Sequence, residues 1–158
     1  MFDGKRVLVA LDGSVTSETM LRFVLEIAGP LDMTVLLVRV VEPLTPIIAD
    51  DIYRPTLADL EGCRRDAEDY LESIAVALRA RGVKTAWQVR HGRPDEEILA
   101  AAADSGVDMI AMATHGRTGV GRLLFGSVAE AVLRRATVPV FLMRSAAAVA
   151  PRVKEYAG

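Results

Sequence analysis

Residues 107–127 read VDMIAMATHGRTGVGRLLFGS, and the way this stretch divides decides the fold. Its first seven residues, VDMIAMA, are a short apolar run bounded by turn residues, the signature of a buried strand. The next thirteen, 114–126, carry four glycines, at 116, 119, 121 and 126. Ser127 then opens a short helix that runs to about residue 135. A strand, a glycine-rich connection and a helix in that order make half of a parallel crossover unit.

The same alternation extends outward in both directions. Residues 5–11 (KRVLVAL) form a first buried strand closed by Asp12-Gly13-Ser14. Ser17 is placed to cap a helix whose apolar face is Met20, Leu21, Val24, Leu25 and Ala28, and Gly29-Pro30 stops it. Residues 34–41 (TVLLVRVV) form a second strand. Residues 42–55 hold prolines 43, 46 and 55 with no sustained period, which predicts a mobile loop that includes Tyr53. Thr56 caps a long helix to about residue 81 with a stripe at Leu57, Leu60, Ala67, Leu71, Ile74 and Leu78, ended by Gly82. A third strand, 83–90, leads through His91-Gly92-Arg93 into a helix over 94–104. That helix has Pro94 at its head and Asp95, Glu96 and Glu97 in its first turn, where the helix dipole favours acids. Downstream of the opening stretch, residues 138–144 (VPVFLMR) give a fifth strand, with Pro139 suiting an edge.

Five strands with four helical crossovers imply one parallel sheet with helices on both faces, and near-continuous apolar strands agree. One domain over 1–145 with a weakly ordered tail, 146–158, accounts for the chain. Open parallel sheets bind ligands beyond the carboxyl ends of their strands, where strand order reverses. Order 3-2-1-4-5 sets the Asp12-Gly13-Ser14 turn against the 114–126 loop; order 2-1-3-4-5 would set it against residues 91–94 instead. Glycine density favours the first, because glycine lets backbone amides approach an anion. Gly126-Ser127, at a helix start, would present amides and a hydroxyl to a phosphate, although the same pair also serves as an ordinary helix cap.

Composition narrows the function classes. The 158 residues are 51% hydrophobic and 25% charged with net charge −2, so neither disorder nor a basic nucleic-acid footprint fits. One cysteine, Cys63, cannot make an internal disulfide, and a reducing, cytoplasmic setting follows as the expectation. The apolar run before Asp12 is too short for a signal-peptide core or a membrane span. Sharper motifs fail one by one. Residues 116–123 approach the P-loop spacing but put Arg122 where lysine belongs and Leu123 where the magnesium-binding hydroxyl belongs. No G-x-G-x-x-G follows the first strand, and a Ser14/His115/Asp12 triad lacks the G-x-S-x-G elbow. Among other residues, Arg39 reads as a side chain running from the strand end towards solvent or an acid. Met33, Met109, Met112 and Met143 read as core filler, with Met112 against the site.

Residues 112–116 (MATHG), nine further residues, then 126–132 (GSVAEAV) and Val138-Pro139-Val140 strongly resemble the universal stress protein family. Its nucleotide-binding members share G-x2-G-x9-G-[ST], and the resemblance covers about residues 4–144. It implies a Rossmann-like three-layer α/β sandwich of the adenine nucleotide alpha hydrolase type with order 3-2-1-4-5. It further implies a cytoplasmic homodimer and, in many members, bound ATP. By the resemblance, Ala10 and Asp12 line the adenosine side, with Met112 beside them, and Val40 meets the adenine through its backbone. Gly116, Gly126 and Ser127 hold the phosphates, with the Val128 amide beside them and Arg117 adding charge. One position departs from the signature: Ala113 replaces its first glycine, and the extra methyl is expected to crowd the ligand or the loop.

The function expected is a stress-response regulatory module that binds ATP or a related adenine nucleotide, with Mg2+ or Mn2+ as accompanying ion. Any hydrolysis would be slow, with the divalent ion between the phosphates and Asp12. Strand 138–143 is expected to pair with its copy in a twofold dimer, with neither nucleic acid nor membrane as partner. The alternative is a nucleotide-free stress protein serving as a dimeric protein-interaction module, for which Ala113 is the main support. An adenylating enzyme ranks last, because neither S-G-G-x-D-S nor H-x-G-H is present.

Overall fold

A computed structural model describes residues 4–43, 56–115 and 126–145. The elements alternate as β1 (Arg6–Ala10), α1 (Val15–Ala28), β2 (Thr34–Val41), α2 (Leu57–Ala80), β3 (Lys84–His91), α3 (Pro94–Asp104), β4 (Met109–His115), α4 (Ser127–Arg135) and β5 (Val140–Ser145). All pairings are parallel and the order is β3-β2-β1-β4-β5. The chain steps outward from β1 to β3, then crosses back to β4 and β5. Right-handed crossovers therefore lay α1 and α2 on one face and α3 and α4 on the other.

Strand residues alternate between the two cores, as a period of two requires. Val7, Val9, Val35 and Leu37 join Met20, Leu21, Val24, Leu71, Ile74 and Leu78 of α1 and α2. Leu8, Ala10, Val38, Ile110 and Met112 join Ile98, Ala101, Ala129 and Val132 of α3 and α4. Aromatic packing ties α1 to the far edge strand, where Phe23 and Phe141 stack with ring centroids 4.3 Å apart.

Three local expectations are corrected. Helix α1 begins two residues before Ser17: its N-cap is Ser14, whose hydroxyl accepts from the Ser17 amide at 3.1 Å. Ser17 is buried instead, donating its hydroxyl to the Ser14 carbonyl and accepting from the Asp12 amide. Similarly, Ser127 is the first helical residue of α4, and Gly126 is its N-cap. Thr56 does cap α2, in a reciprocal box with Asp59, yet Leu57 and Leu60 are 81% and 41% exposed and take no part in the core. At 24 residues α2 spans about 36 Å. The eight-residue β2 beside it spans about 26 Å. The first turns of α2 overhang the sheet.

β5 starts at Val140 rather than residue 138, since Pro139 has no amide to give the ladder; its carbonyl accepts the Ile110 amide at 3.0 Å. The edge position expected from Pro139 holds. The expected loop lies outside the described residues from 44 to 55, Tyr53 included, and so does the whole tail, 146–158.

A cleft at the strand-order reversal

β1 and β4 are neighbours whose paired register ends at Val9↔Ala111. Past that point β1 turns away through Asp12, while β4 continues to His115 in register with β5. The divergence opens a cleft of about 520 Å³ at the carboxyl ends of the strands. Order 2-1-3-4-5 is thereby excluded, and Asp12 and the start of α4 border the same cleft. Ala10, Asp12, Val40, Met112, Ala113, Gly126, Ser127 and Val128 all line the cleft. Gly116 and Arg117, the remaining two expected site residues, lie outside the described residues.

Part of the cleft wall is apolar. Val38 and Val40 rise from β2 and Met112 from β4, opposite Ile98 of α3. The start of α4 supplies another part of the wall. Gly126 holds φ +83° and ψ 150°, a conformation open to glycine and strained for other residues, and it brings no side chain to cap the helix. The first residues of α4 therefore border the cleft with no side-chain cap among the described residues, with the partial positive charge of a helix N-terminus. Such an arrangement suits a ligand with a planar apolar group at one end and an anion at the other.

Asp12, in the turn between β1 and α1, lines the same cleft. Burial pushes its carboxyl up, but hydrogen bonds from Ser14 and Ser17 together outweigh that and leave it below the ordinary carboxyl value. The Ser14 amide reaches Asp12 Oδ1 at 2.8 Å. Asp12 is therefore an anion at neutral pH and a weak base.

Ala113 answers the concern raised by its extra methyl. Alternation along β4 sends Met112 to the α3/α4 core and Ala113 to the opposite one, where its side chain packs with the α1/α2 cluster. It borders the cleft from between Met112 and Thr114, with its methyl directed to the far face. Arg39 is on that far face too. Rather than running out to solvent or an acid, its guanidinium lies over the Tyr70 ring.

Several lining residues escaped the sequence reading. Pro94 and Ile98 belong to the loop and helix that the rejected strand order would have used. They reach the cleft because α3 crosses the sheet from β3 to β4 and starts at its carboxyl edge; the handedness of the crossover was the available signal. Glu42 follows directly on β2 at the same edge. Thr114, 5% exposed, continues the inward alternation of β4, a position hidden by ending that strand at residue 113. Among the described residues no group of three His, Cys, Asp or Glu side chains is arranged as a metal site, and no helix is long and apolar enough to cross a membrane.

Comparison with known proteins agrees with this architecture. The profile of the Universal stress protein family matches residues 4–144. Universal stress protein MJ0531 of Methanocaldococcus jannaschii is 29% identical over 142 residues, covering 89% of this chain and 82% of its own. The solved structure of the hypothetical protein MJ0577, whose biochemical function was assigned from structure, superposes with a TM-score of 0.73 at 29% identity, over 90% of this chain and 96% of that one. The universal stress protein from Archaeoglobus fulgidus in complex with dAMP shares the fold, with a TM-score of 0.62 at 22% identity over 90% and 98% of the two chains.

Proposed function

The chain belongs to the universal stress protein family, and from that premise we propose that it binds ATP or a related adenine nucleotide and serves as a regulatory module of the stress response. The observation that carries the reading is one cleft of about 520 Å³ that combines apolar walls with a helix start that has no side-chain cap and Gly126 at positive φ. The base lies between Val40 and Met112, adenosine runs past Ala10 and Asp12, and the phosphates meet the amides of Ser127 and Val128. Gly116 and Arg117 complete the phosphate side by the family motif. That a protein of the same fold holds dAMP supports the class of ligand. The packing of the Ala113 side chain with the α1/α2 core, away from the cleft, weakens the main objection to it.

Mg2+ or Mn2+ would accompany the phosphates beside Asp12, the acid nearest the turn, and would supply charge neutralisation there. Asp12, held below the ordinary carboxyl range, is poorly matched to general-base work, which fits a binding module with at most slow hydrolysis. A cytoplasmic homodimer joined through strand 138–143 belongs to the same reading.

The test is mass spectrometry of small molecules released on denaturing the purified protein, followed by calorimetry with ATP. A released adenine nucleotide, or binding heat at millimolar ATP or below, is expected. Neither would leave the nucleotide-free interaction module as the better account. Gly126→Val should abolish binding while the far-ultraviolet spectrum is retained; unchanged affinity would mean that the phosphates lie elsewhere.

A further inference from the structure

Behind the turn at residues 12–14, on the sheet face away from the cleft, three polar side chains from three elements meet. Arg39 leaves β2 on the side of Val35 and Leu37, and its Cζ lies 4.9 Å from the centre of the Tyr70 ring on α2. The same guanidinium fills the space under Gly13: a Cβ built there would stand 3.2 Å from Arg39 Nη2 and 3.3 Å from its Cζ. The Tyr70 hydroxyl donates to Glu18 Oε1 at 3.0 Å, and the Glu18 amide donates to the Ser14 carbonyl at 3.3 Å. The contacts close a ring from β2 through the turn, α1 and α2 back to β2. Glu18 is only 6% exposed, beside a core layer built mainly from Val, Leu, Ile, Met and Ala. An acid and a cation in such a layer carry a desolvation cost that apolar residues would avoid, so their worth lies in the geometry they fix.

We infer, on the nucleotide reading of the cleft, that Arg39, Tyr70 and Glu18 are positioning residues that hold the 12–14 turn from behind and so set Asp12 for the ligand. A planar cation suits the place of Arg39, over an aromatic ring and beside a glycine without a side chain to displace it. Gly13 therefore has two reasons to be glycine: its φ of +84° and the guanidinium where a side chain would go. None of the three touches the cleft, so each acts through Asp12, Gly13 and Ser14.

The experiment compares the whole chain with its Arg39→Ala and Arg39→Lys variants in two readouts. One is ATP affinity by calorimetry; the other is amide hydrogen exchange at Ser14 in the ligand-free protein, the amide that donates to Asp12. Arg39→Ala should weaken ATP about tenfold and speed Ser14 exchange by a similar factor, with Arg39→Lys between it and the unsubstituted protein. Guanidinium chloride at low millimolar concentration should restore part of the affinity of Arg39→Ala, which a merely destabilised fold would not show. Unchanged ATP affinity together with unchanged Ser14 exchange overturns the inference. If the unsubstituted protein binds no ATP, the nucleotide reading falls, and Ser14 exchange alone decides whether Arg39 holds the turn. Should Arg39→Ala not fold, Arg39→Lys carries the same two readouts.

Discussion

Asp12 and Glu18 are carboxyls six positions apart whose protons answer to opposite surroundings. Hydrogen bonds hold Asp12 below its ordinary value of 3.8 despite burial, whereas burial holds Glu18 above 4.5, against the Tyr70 bond and helped by the charge of Asp12. The signs differ accordingly. The Asp12 contribution to stability is present above pH 3.8 and is lost as pH falls through its folded value. The Glu18 contribution is full below pH 4.5 and is lost as pH rises through its own. Urea unfolding over a pH series should therefore show Glu18→Gln gaining on the unsubstituted protein as pH climbs from 4 towards 7. Asp12→Asn should be at a constant disadvantage above about pH 5 and recover only below 3.8. A Glu18→Gln difference that does not vary with pH would refute the assignment. Asp12 was legible in the sequence because it closes an apolar strand. Glu18 was not, because its partner Tyr70 is 52 residues away and only the packing of α1 beside α2 brings them together. The same holds for Ser14 and Ser17: both sit before an apolar face, and the carboxylate of Asp12, ordering the Ser14 amide, decides which one caps.

Among the elements, α2 shows what periodicity reveals and what it leaves open. Its buried stripe from Ala67 to Leu78 follows the helical repeat, and both ends carry the expected signals. That Leu57 and Leu60 continue the stripe into solvent depends on the length of the helix against the sheet, which no local pattern encodes. A consequence follows for the Thr56–Asp59 cap. Loss of an N-cap costs about 1 kcal/mol where the capped turn is part of the cooperative core. Here it secures an overhang, so Thr56→Ala should speed amide exchange over residues 57–62 about fivefold and leave the midpoint of global urea unfolding nearly unchanged. A drop in global stability of the full cap value would mean that the overhang is coupled to the core after all. Strand ends behave in a comparable way. β4 outlasts its expected end because Thr114 and His115 go on pairing with Arg144 and Ser145, a partner register that appears only once the sheet is assembled.

At the scale of the molecule, strand order was legible because the glycine-rich stretch follows the fourth strand in sequence, whereas the faces taken by the helices come from the handedness of the crossovers. The two edges are less alike than the topology suggests. β3 is guarded: α2 packs along it, Lys84 pairs with Asp32 at 2.7 Å, and Arg90 pairs with Asp104 at 2.8 Å. β5 carries Val140, Phe141, Leu142 and Met143 in succession, all half-buried, with no charge before Arg144. An apolar, uncharged edge strand is a pairing surface unless something covers it, and a second copy aligned antiparallel about a twofold axis would cover it with itself. Placing the dimer there also leaves both clefts open, since each lies inward of β5 at the β1/β4 divergence. Sedimentation at micromolar concentration should give twice the 17.0 kDa of one chain. Amide exchange over residues 140–144 should slow as concentration rises, while that of β3 stays constant. A mass of 17.0 kDa at micromolar concentration, or protection of β5 that does not vary on dilution to nanomolar, would put the dimer elsewhere or nowhere.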